Sequence, residues 1–390
     1  MTRAVVPADL DALARAVGAA LDDAGPPVAP VPVVSSAEPG DGVALVLRTS
    51  GSTGAAREVA ISAAALRASG AATHTRLGGP GHWLLTLPAT HVAGVQVVAR
   101  AHAGHGLTAA PAGEPFTAAG FAALVRRSPR GVRRYVSLVP TQLHRLVAAA
   151  DAGEPGGLEA LCALDAVLLG GAATPSPLLR RAREAGAAVV TTYGMTETCG
   201  GCVYDGVPLP GVRVRLAPGT GVVEVAGPVL ADGYLGDAAA TAAAFVVDPD
   251  GTRWFRTSDL GRLDGRRLAV LGRADDVLVT GGLNVAPAAV EEVIAAVEGV
   301  GEACVVGVPD DEWGTAVVAV VTLTAPGTTP DGLVAAVRRR VADRLGRASA
   351  PRRVVVVEDL PRRGPGKVDR AAVTRLASGA GPLPGTTGRG

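Results

Sequence analysis

Aromatic residues make up only 3% of this 390-residue chain, cysteines number four, and neither sign of charge is in excess. With so few rings, a core has to be built from Val, Leu and Ala, which supply much of the 48% hydrophobic content. Thirty-seven Lys and Arg stand against 36 Asp and Glu, so no bulk field draws the chain to nucleic acid or to an anionic membrane surface. No apolar run approaches the roughly 20 residues that span a bilayer; AVVAVVTL (316–323) is of strand length. Neither a nucleic-acid partner nor membrane insertion is therefore expected. The opening MTRAVVPADLDALARAV has no long apolar segment and no small-residue cleavage site, against a secretory leader. Cys162, Cys199, Cys202 and Cys304 read as reduced thiols of a cytoplasmic protein, not as a disulfide framework. Cys199 and Cys202 form one C-x-x-C, but no second pair follows and no histidine lies beyond His144. That leaves a structural zinc site without nearby partners and favours two small buried or loop cysteines. Arginine greatly outnumbers lysine, so each lysine merits inspection.

A chain of this length accommodates two or three compact units. The first third alternates short apolar runs with helical composition. VALVL (43–47), EVAI, WLLTL (83–87), YVSLV (135–139), LDAVLLG (164–170) and AVVTT (188–192) read as buried strands, the pattern of α/β layers. Ser62 is placed to cap an alanine-rich helix. From 207 to 272 the pattern shifts to short strands with Gly/Pro/Asp turns, a smaller β-rich subdomain. After GRADD it shifts again: Pro287 opens a helix, then ACVVGV, AVVAVVTL, a helix near 330–345, RVVVVEDL and a last helix near 370–377 form a small α+β unit. The expected organisation is an N-terminal domain over 1–273, a C-terminal domain over 274–378, and a Gly/Pro/Thr-rich, disordered tail over 379–390.

The stretch RTSGSTGAAREVA (48–60) concentrates small hydroxyl residues and glycines after a strand, where backbone N–H groups and hydroxyls can converge on an anion. It is not a G-x-x-x-x-G-K-[ST] loop, because no Lys-Ser/Thr pair follows the second glycine. Alone, such a loop is more often a turn. It has company in order along the chain: LPATHVAG (87–94), LLGGAATP (168–175), TTYGMTET (191–198), GPVLADGYLGDAAATAAAF (227–245), WFRTSDLGRLDG (254–265, with Asp259 between strand-like segments), LGRADDVLVTGGLNVAPAAVEEV (271–293) and PRRGPGKVDR (361–370). His102 and His105 (HAGH) have metal-like spacing on a helix but no carboxylate or cysteine neighbours, and read as surface or core.

Over residues 43–372 this ordered set resembles the adenylate-forming superfamily of acyl-CoA synthetases, peptide-synthetase adenylation domains and luciferases. The resemblance implies a large N-terminal domain of layered sheets and helices with a β-rich subdomain, and a small mobile α+β C-terminal domain. It implies ATP, Mg2+ and CoA as cofactor and co-substrates, and an acyl-adenylate as intermediate. Thr49, Ser50, Gly51, Ser52, Thr53 and Gly54 would hold the β- and γ-phosphates. Tyr193 and Gly194 would lie at the adenine, whose edge the backbone around Gly171 and Ala172 would read. Thr196 would touch the α-phosphate and Glu197 would hold Mg2+, a hard cation suited to carboxylate and phosphate oxygens. Asp259 would accept both ribose hydroxyls beside Arg273. Lys367 would meet the charge that develops at the α-phosphate and carboxylate, and His91 would gate the acyl pocket. Asp275 takes the hinge position, and Gly281 and Gly282 would line a channel for the pantetheine arm, where a side chain would obstruct. Two departures stand out. Arg57 replaces the lysine usual after the loop, keeping charge but not point-charge geometry. The region before residue 49 is shorter than in most relatives, so one wall of the acyl site would be missing.

The compact start, TTYGMTETCGGCVYDGVPLPGV and GGLNVAPAAVEEV resemble the 2-succinylbenzoate–CoA ligases of menaquinone biosynthesis, in their short actinobacterial form. The implied partners are a small carboxylic acid, ATP and CoA, with homodimerisation left open. The acid's aromatic carboxylate would need an anchor from 91–100, 138–144 or 194–203. A ligase for another aryl or medium-chain acid shares every motif. An ATP-binding protein on a degraded scaffold is disfavoured by the presence of Glu197, Asp259 and Lys367, and a P-loop NTPase by the missing Gly-Lys-Ser/Thr.

Overall fold

A computed structural model describes residues 4–49, 56–323, 330–363 and 367–379, the side chains of 330, 331, 363 and 367 excepted. The chain forms two compact units. The first comprises Met1–Thr174, Arg180–Thr257 and Arg262–Ala269; the second comprises Pro175–Leu179, Ser258–Gly261 and Val270–Gly390.

In the first unit, helix α1 (Leu10–Leu21) precedes strands β1 (Val43–Arg48) and β2 (Glu58–Ser62), which pair antiparallel on either side of the Ser/Thr/Gly loop. Ser62 caps α2 (Ala63–Arg76) as expected, its hydroxyl accepting from the Ala65 N–H at 3.3 Å. Then follow β3 (His82–Leu85), α3 (Val92–His102), β4 (Leu107–Ala109), α4 (Ala118–Arg127), β5 (Arg134–Leu138), α5 (Pro140–Asp151), α6 (Gly156–Cys162), β6 (Ala166–Leu169), α7 (Ser176–Glu184), β7 (Val189–Met195), β8 (Gly200–Tyr204) and β9 (Val207–Pro208). Strands β3 to β9 make a seven-stranded sheet in the order β4-β3-β5-β6-β7-β8-β9, parallel from β4 to β7 and antiparallel beyond. β3 and β6 are buried throughout, which is why parallel strands read as unbroken apolar runs. Leu13 and Val17 of α1, Leu66 of α2 and Val95 and Val98 of α3 join one core cluster with the sheet. The scarce rings sit at its centre: Trp83, Tyr135 and Tyr204 are fully buried, with Trp83 and Tyr135 edge-to-face at 5.2 Å.

The β-rich part contains β10 (Arg213–Leu216), β11 (Val222–Ala226), β12 (Gly233–Tyr234), α8 (Ala238–Ala244), β13 (Phe245–Val247), β14 (Arg253–Asp264) and β15 (Arg267–Arg273). β12 does not join its neighbours; it pairs with β2, giving the order β1-β2-β12. Asp259 proves to lie inside the continuous strand β14, not between two strands, because β15 pairs alongside it. The HAGH pattern is likewise not helical throughout: α3 ends at His102, which meets Asp22 at 3.1 Å, and His105 lies beyond it.

Besides the start of α7, the middle of β14 and the end of β15, the second unit holds β16 (Leu278–Thr280), β17 (Leu283–Val285), α9 (Pro287–Ala295), β18 (Val300–Asp310), β19 (Gly314–Leu323), α10 (Pro330–Leu345), β20 (Arg353–Val356), β21 (Arg362–Arg363), β22 (Lys367–Val368) and α11 (Arg370–Gly379). Pro287 is at the first turn of α9, where a missing N–H costs nothing. Alternate residues of β18 and β19 enter two cores. Val305, Val317, Ala319 and Val321 face Val290, Ile294, Leu333 and Val337, whereas Cys304, Val306, Val318 and Val320 face Leu360, Val373 and Ala377. Burial on both faces accounts for the run AVVAVVTL.

Candidate active site

In a parallel sheet, ligands are met beyond the carboxyl ends of the strands, and His91, Gly171, Ala172, Tyr193, Gly194, Thr196 and Glu197 lie at or just beyond such ends. β7 pairs with β6 up to Thr191 and with β8 from Thr192. The change of partner sends the segment from Tyr193 to Glu197 past the sheet edge. Gly194 is required, because a Cβ there would collide with the Gly200 carbonyl. Thr198 is buried; its hydroxyl accepts from the Met195 N–H at 3.0 Å and donates to the Gly200 carbonyl at 2.8 Å. That pins a one-turn 3-10 helix, Thr196–Thr198, leaving Tyr193, Thr196 and Glu197 half-buried. Gly171 and Ala172, exposed, follow the neighbouring β6, with Gly171 in the left-handed region at φ 85°. His91 is half-buried at the start of α3. α3 adjoins the same turn, since the Gln96 side-chain amide donates to the Cys199 carbonyl at 2.6 Å. Cys199 and Cys202 are fully buried, and burial pushes the Cys202 thiol up to about 12 and the Cys199 thiol higher still.

The phosphate-loop candidate is closed at its base. The Thr49 N–H donates to the Arg57 carbonyl at 2.8 Å, and the Thr49 hydroxyl accepts from the Arg57 N–H at 3.1 Å. Ser50, Gly51, Ser52, Thr53 and Gly54 lie outside the described residues. The Arg57 guanidinium sits over the ring of Tyr234, 5.0 Å from its centroid, and the Tyr234 hydroxyl donates to Oε1 of Glu197 at 3.0 Å. Burial, and after it the charge of Glu197, pushes this phenol far above its ordinary range, so it remains a proton donor. Glu197 is held again through its own carbonyl, which accepts from the Ala231 N–H at 2.9 Å. Sequence reasoning misses Tyr234, although it lies within a motif segment. The available signal is an aromatic residue in a Gly-Tyr pair, in a chain with four tyrosines.

Asp259, Arg273, Asp275, Gly281, Gly282 and Lys367 lie in the second unit. Arg273 forks onto Asp275 at 3.1 and 2.7 Å, and Asp259 is half-buried. Gly281 has φ 53°, and a Cβ there would meet the Trp313 ring at 2.5 Å, so its bareness is required inside its own unit. Gly282, at φ 77°, faces open space. Lys367 lies in β22 opposite Arg363, its side chain outside the described residues. It is the only lysine in the chain, beside 36 arginines, a signal stronger than its motif. Among the described residues no three His, Cys, Asp or Glu gather as a metal cluster. One carboxylate, Glu197, fits the other mode: a Mg2+ held by one or two carboxylates and arriving on phosphate oxygens.

The family model of the AMP-binding enzyme matches residues 3–252, and that of the AMP-binding enzyme C-terminal domain matches residues 289–367. The chain belongs to the AMP-binding enzyme family. Its chemistry is that of an AMP-forming acid–CoA ligase using ATP and CoA. The "Probable 2-succinylbenzoate--CoA ligase" of Mycobacterium tuberculosis (strain ATCC 25618 / H37Rv) is 44% identical over 346 residues, covering 87% of this chain and 86% of the relative. The solved o-succinylbenzoate CoA synthetase (MenE) from Bacillus subtilis, in complex with the acyl-adenylate intermediate OSB-AMP, superposes with a TM-score of 0.70 at 28% identity, over 85% of this chain and 69% of that one. ATP-bound MatB from Rhodopseudomonas palustris gives a TM-score of 0.74 at 27% identity, over 89% and 71%.

Proposed function

We propose that the protein joins 2-succinylbenzoate to CoA, converting ATP to AMP and diphosphate through an acyl-adenylate, as a cytoplasmic step of menaquinone biosynthesis. The observation that carries the acid's identity is the 44% identity over most of both chains to a ligase of that name. A carboxylate is a poor electrophile, and adenylation gives it a leaving group. Thr49 to Gly54 cradle the β- and γ-phosphates, and Thr196 contacts the α-phosphate. Tyr193, Gly194, Gly171 and Ala172 receive the adenine, and Asp259 and Arg273 the ribose. Glu197 would hold Mg2+, which when bound would supply charge neutralisation at the phosphates. His91 borders the acid. Lys367 offsets charge in the adenylation transition state. Asp275 serves as the hinge of a mobile domain over 274–378, after whose rotation Gly282 lines the thiol channel.

A ligase for another aryl or medium-chain acid is the second reading. It draws on partial likeness to the indoleacetate–CoA ligase of Aromatoleum aromaticum, 33% identical over 62% of this chain. AMP release with CoA and 2-succinylbenzoate, against benzoate and octanoate, separates the two. The expected result is turnover with 2-succinylbenzoate alone; preference for benzoate or octanoate overturns the assignment.

A further inference from the structure

Resting on the ligase reading, we infer that Tyr234 is a positioning residue for Glu197, and that Arg57 acts through the Tyr234 ring instead of on the nucleotide's phosphates. The phenol is fixed from several sides. Tyr234 is paired with Val59 across β12 and β2, its N–H donates to the Thr241 hydroxyl at 2.9 Å, and its ring meets Phe245 edge-on at 6.0 Å. Phe245 in turn meets Phe255 at 5.0 Å, the two rings tilted. With 8% of its surface exposed, Tyr234 presents its hydroxyl to Glu197 Oε1 from a rigid base. A glutamate carboxylate turns freely about its last bond. Anchoring one oxygen at 3.0 Å fixes the plane of the group and hence the direction it offers a cation.

The same strand pairing places Arg57. The Leu235 N–H donates to the Glu58 carbonyl at 2.7 Å, so the residue after Tyr234 and the residue after Arg57 are bonded together. Glu58 is itself buried, its carboxylate accepting from the Val34 and Ser35 N–H groups at 2.5 and 2.9 Å. The guanidinium is thereby set on the Tyr234 ring. A planar, weakly hydrated cation suits that face better than an ammonium does, which explains an arginine at this position. The last residue of the phosphate loop's base and the metal-binding carboxylate are thus linked through one aromatic ring.

The test is calorimetric binding of ATP with Mg2+ titrated, in the absence of acid and CoA, beside binding of AMP without metal. Tyr234→Phe keeps the ring and removes the hydroxyl. It is expected to weaken Mg2+-dependent ATP binding about tenfold, the scale of one hydrogen bond to a charged group, and to leave AMP binding unchanged. Arg57→Met should weaken the same Mg2+-dependent binding by a smaller factor, and add nothing in the Tyr234→Phe background. Wild-type Mg2+ dependence in Tyr234→Phe overturns the inference, as does an equal loss of AMP binding, which would mark Tyr234 as merely structural. A full additional loss from Arg57→Met in the double variant overturns the part assigned to Arg57. Absence of AMP formation with any acid, alongside the expected binding pattern, would refute the ligase reading while supporting the positioning of Glu197.

Discussion

On the proposed mechanism, Lys367 and Gly282 are the residues at which the two half-reactions part company. If Lys367 serves only the first step, as proposed, Lys367→Ala should abolish adenylation yet spare thioester formation from preformed acyl-adenylate. Rapid-quench assay of each half-reaction reads this directly, and equal loss of both contradicts it. Gly282→Leu should reverse the ranking, slowing thioester formation more than adenylation. Gly281→Ala is expected instead to lower the melting temperature, since Trp313 fills the space and φ is 53°. As neighbours in the sequence the two glycines share one reason; their surroundings supply two. The run from Tyr193 to Glu197 was readable as a strand end because its backbone demands lie within a few neighbouring residues. Tyr234 was not, because its contact with Glu197 spans 37 positions and depends on β12 crossing to β2. Arg57 was visible as a departure, but its ring partner was not.

Among the elements, the helix starts were the most legible, since Ser62 and Pro287 act on backbone groups next to them. Packing between elements was not. His74 of α2 is 6% exposed, and its Nε2 accepts from the Trp83 indole N–H at 3.1 Å. Burial, then the charges of Arg100 and His105, lowers its pKa from 6.5 to about 4. The unfolded chain therefore binds more protons than the folded one between those values. Stability is fully present above pH 6.5 and falls as the pH drops toward 4, by about 3 kcal/mol at about 1.4 kcal/mol per pKa unit. His74→Gln keeps an acceptor for the indole and cannot titrate. Its melting temperature should vary less across that window than the wild type's, and an unchanged pH profile would refute the role of His74. β14 shows the opposite failure of local reading: Gly261 and the charged residues near it look like a turn, yet β15 keeps the strand continuous.

For the whole molecule, the α/β class and the large and small parts followed from the change of pattern along the chain, and the family from motifs in order. Among the described residues no helix is long and apolar enough to cross a membrane. The acid could not be read from the strands or the turn, because the motifs there are shared by ligases of other acids. The ion pair between Arg273 and Asp275, each about a third exposed, is of the kind worth at most about 1 kcal/mol. It would offer little resistance to a change of conformation at Asp275. The central claim is that an aliphatic carboxylate of 2-succinylbenzoate is activated as its adenylate, and it is tested by labelling that carboxylate with heavy oxygen. Attack on the α-phosphate leaves a labelled oxygen bridging carbon and phosphorus, and thiol attack releases it with the nucleotide. Mass spectrometry should find one heavy oxygen in AMP and the other in the thioester carbonyl. Unlabelled AMP, or ADP in its place, would contradict the account.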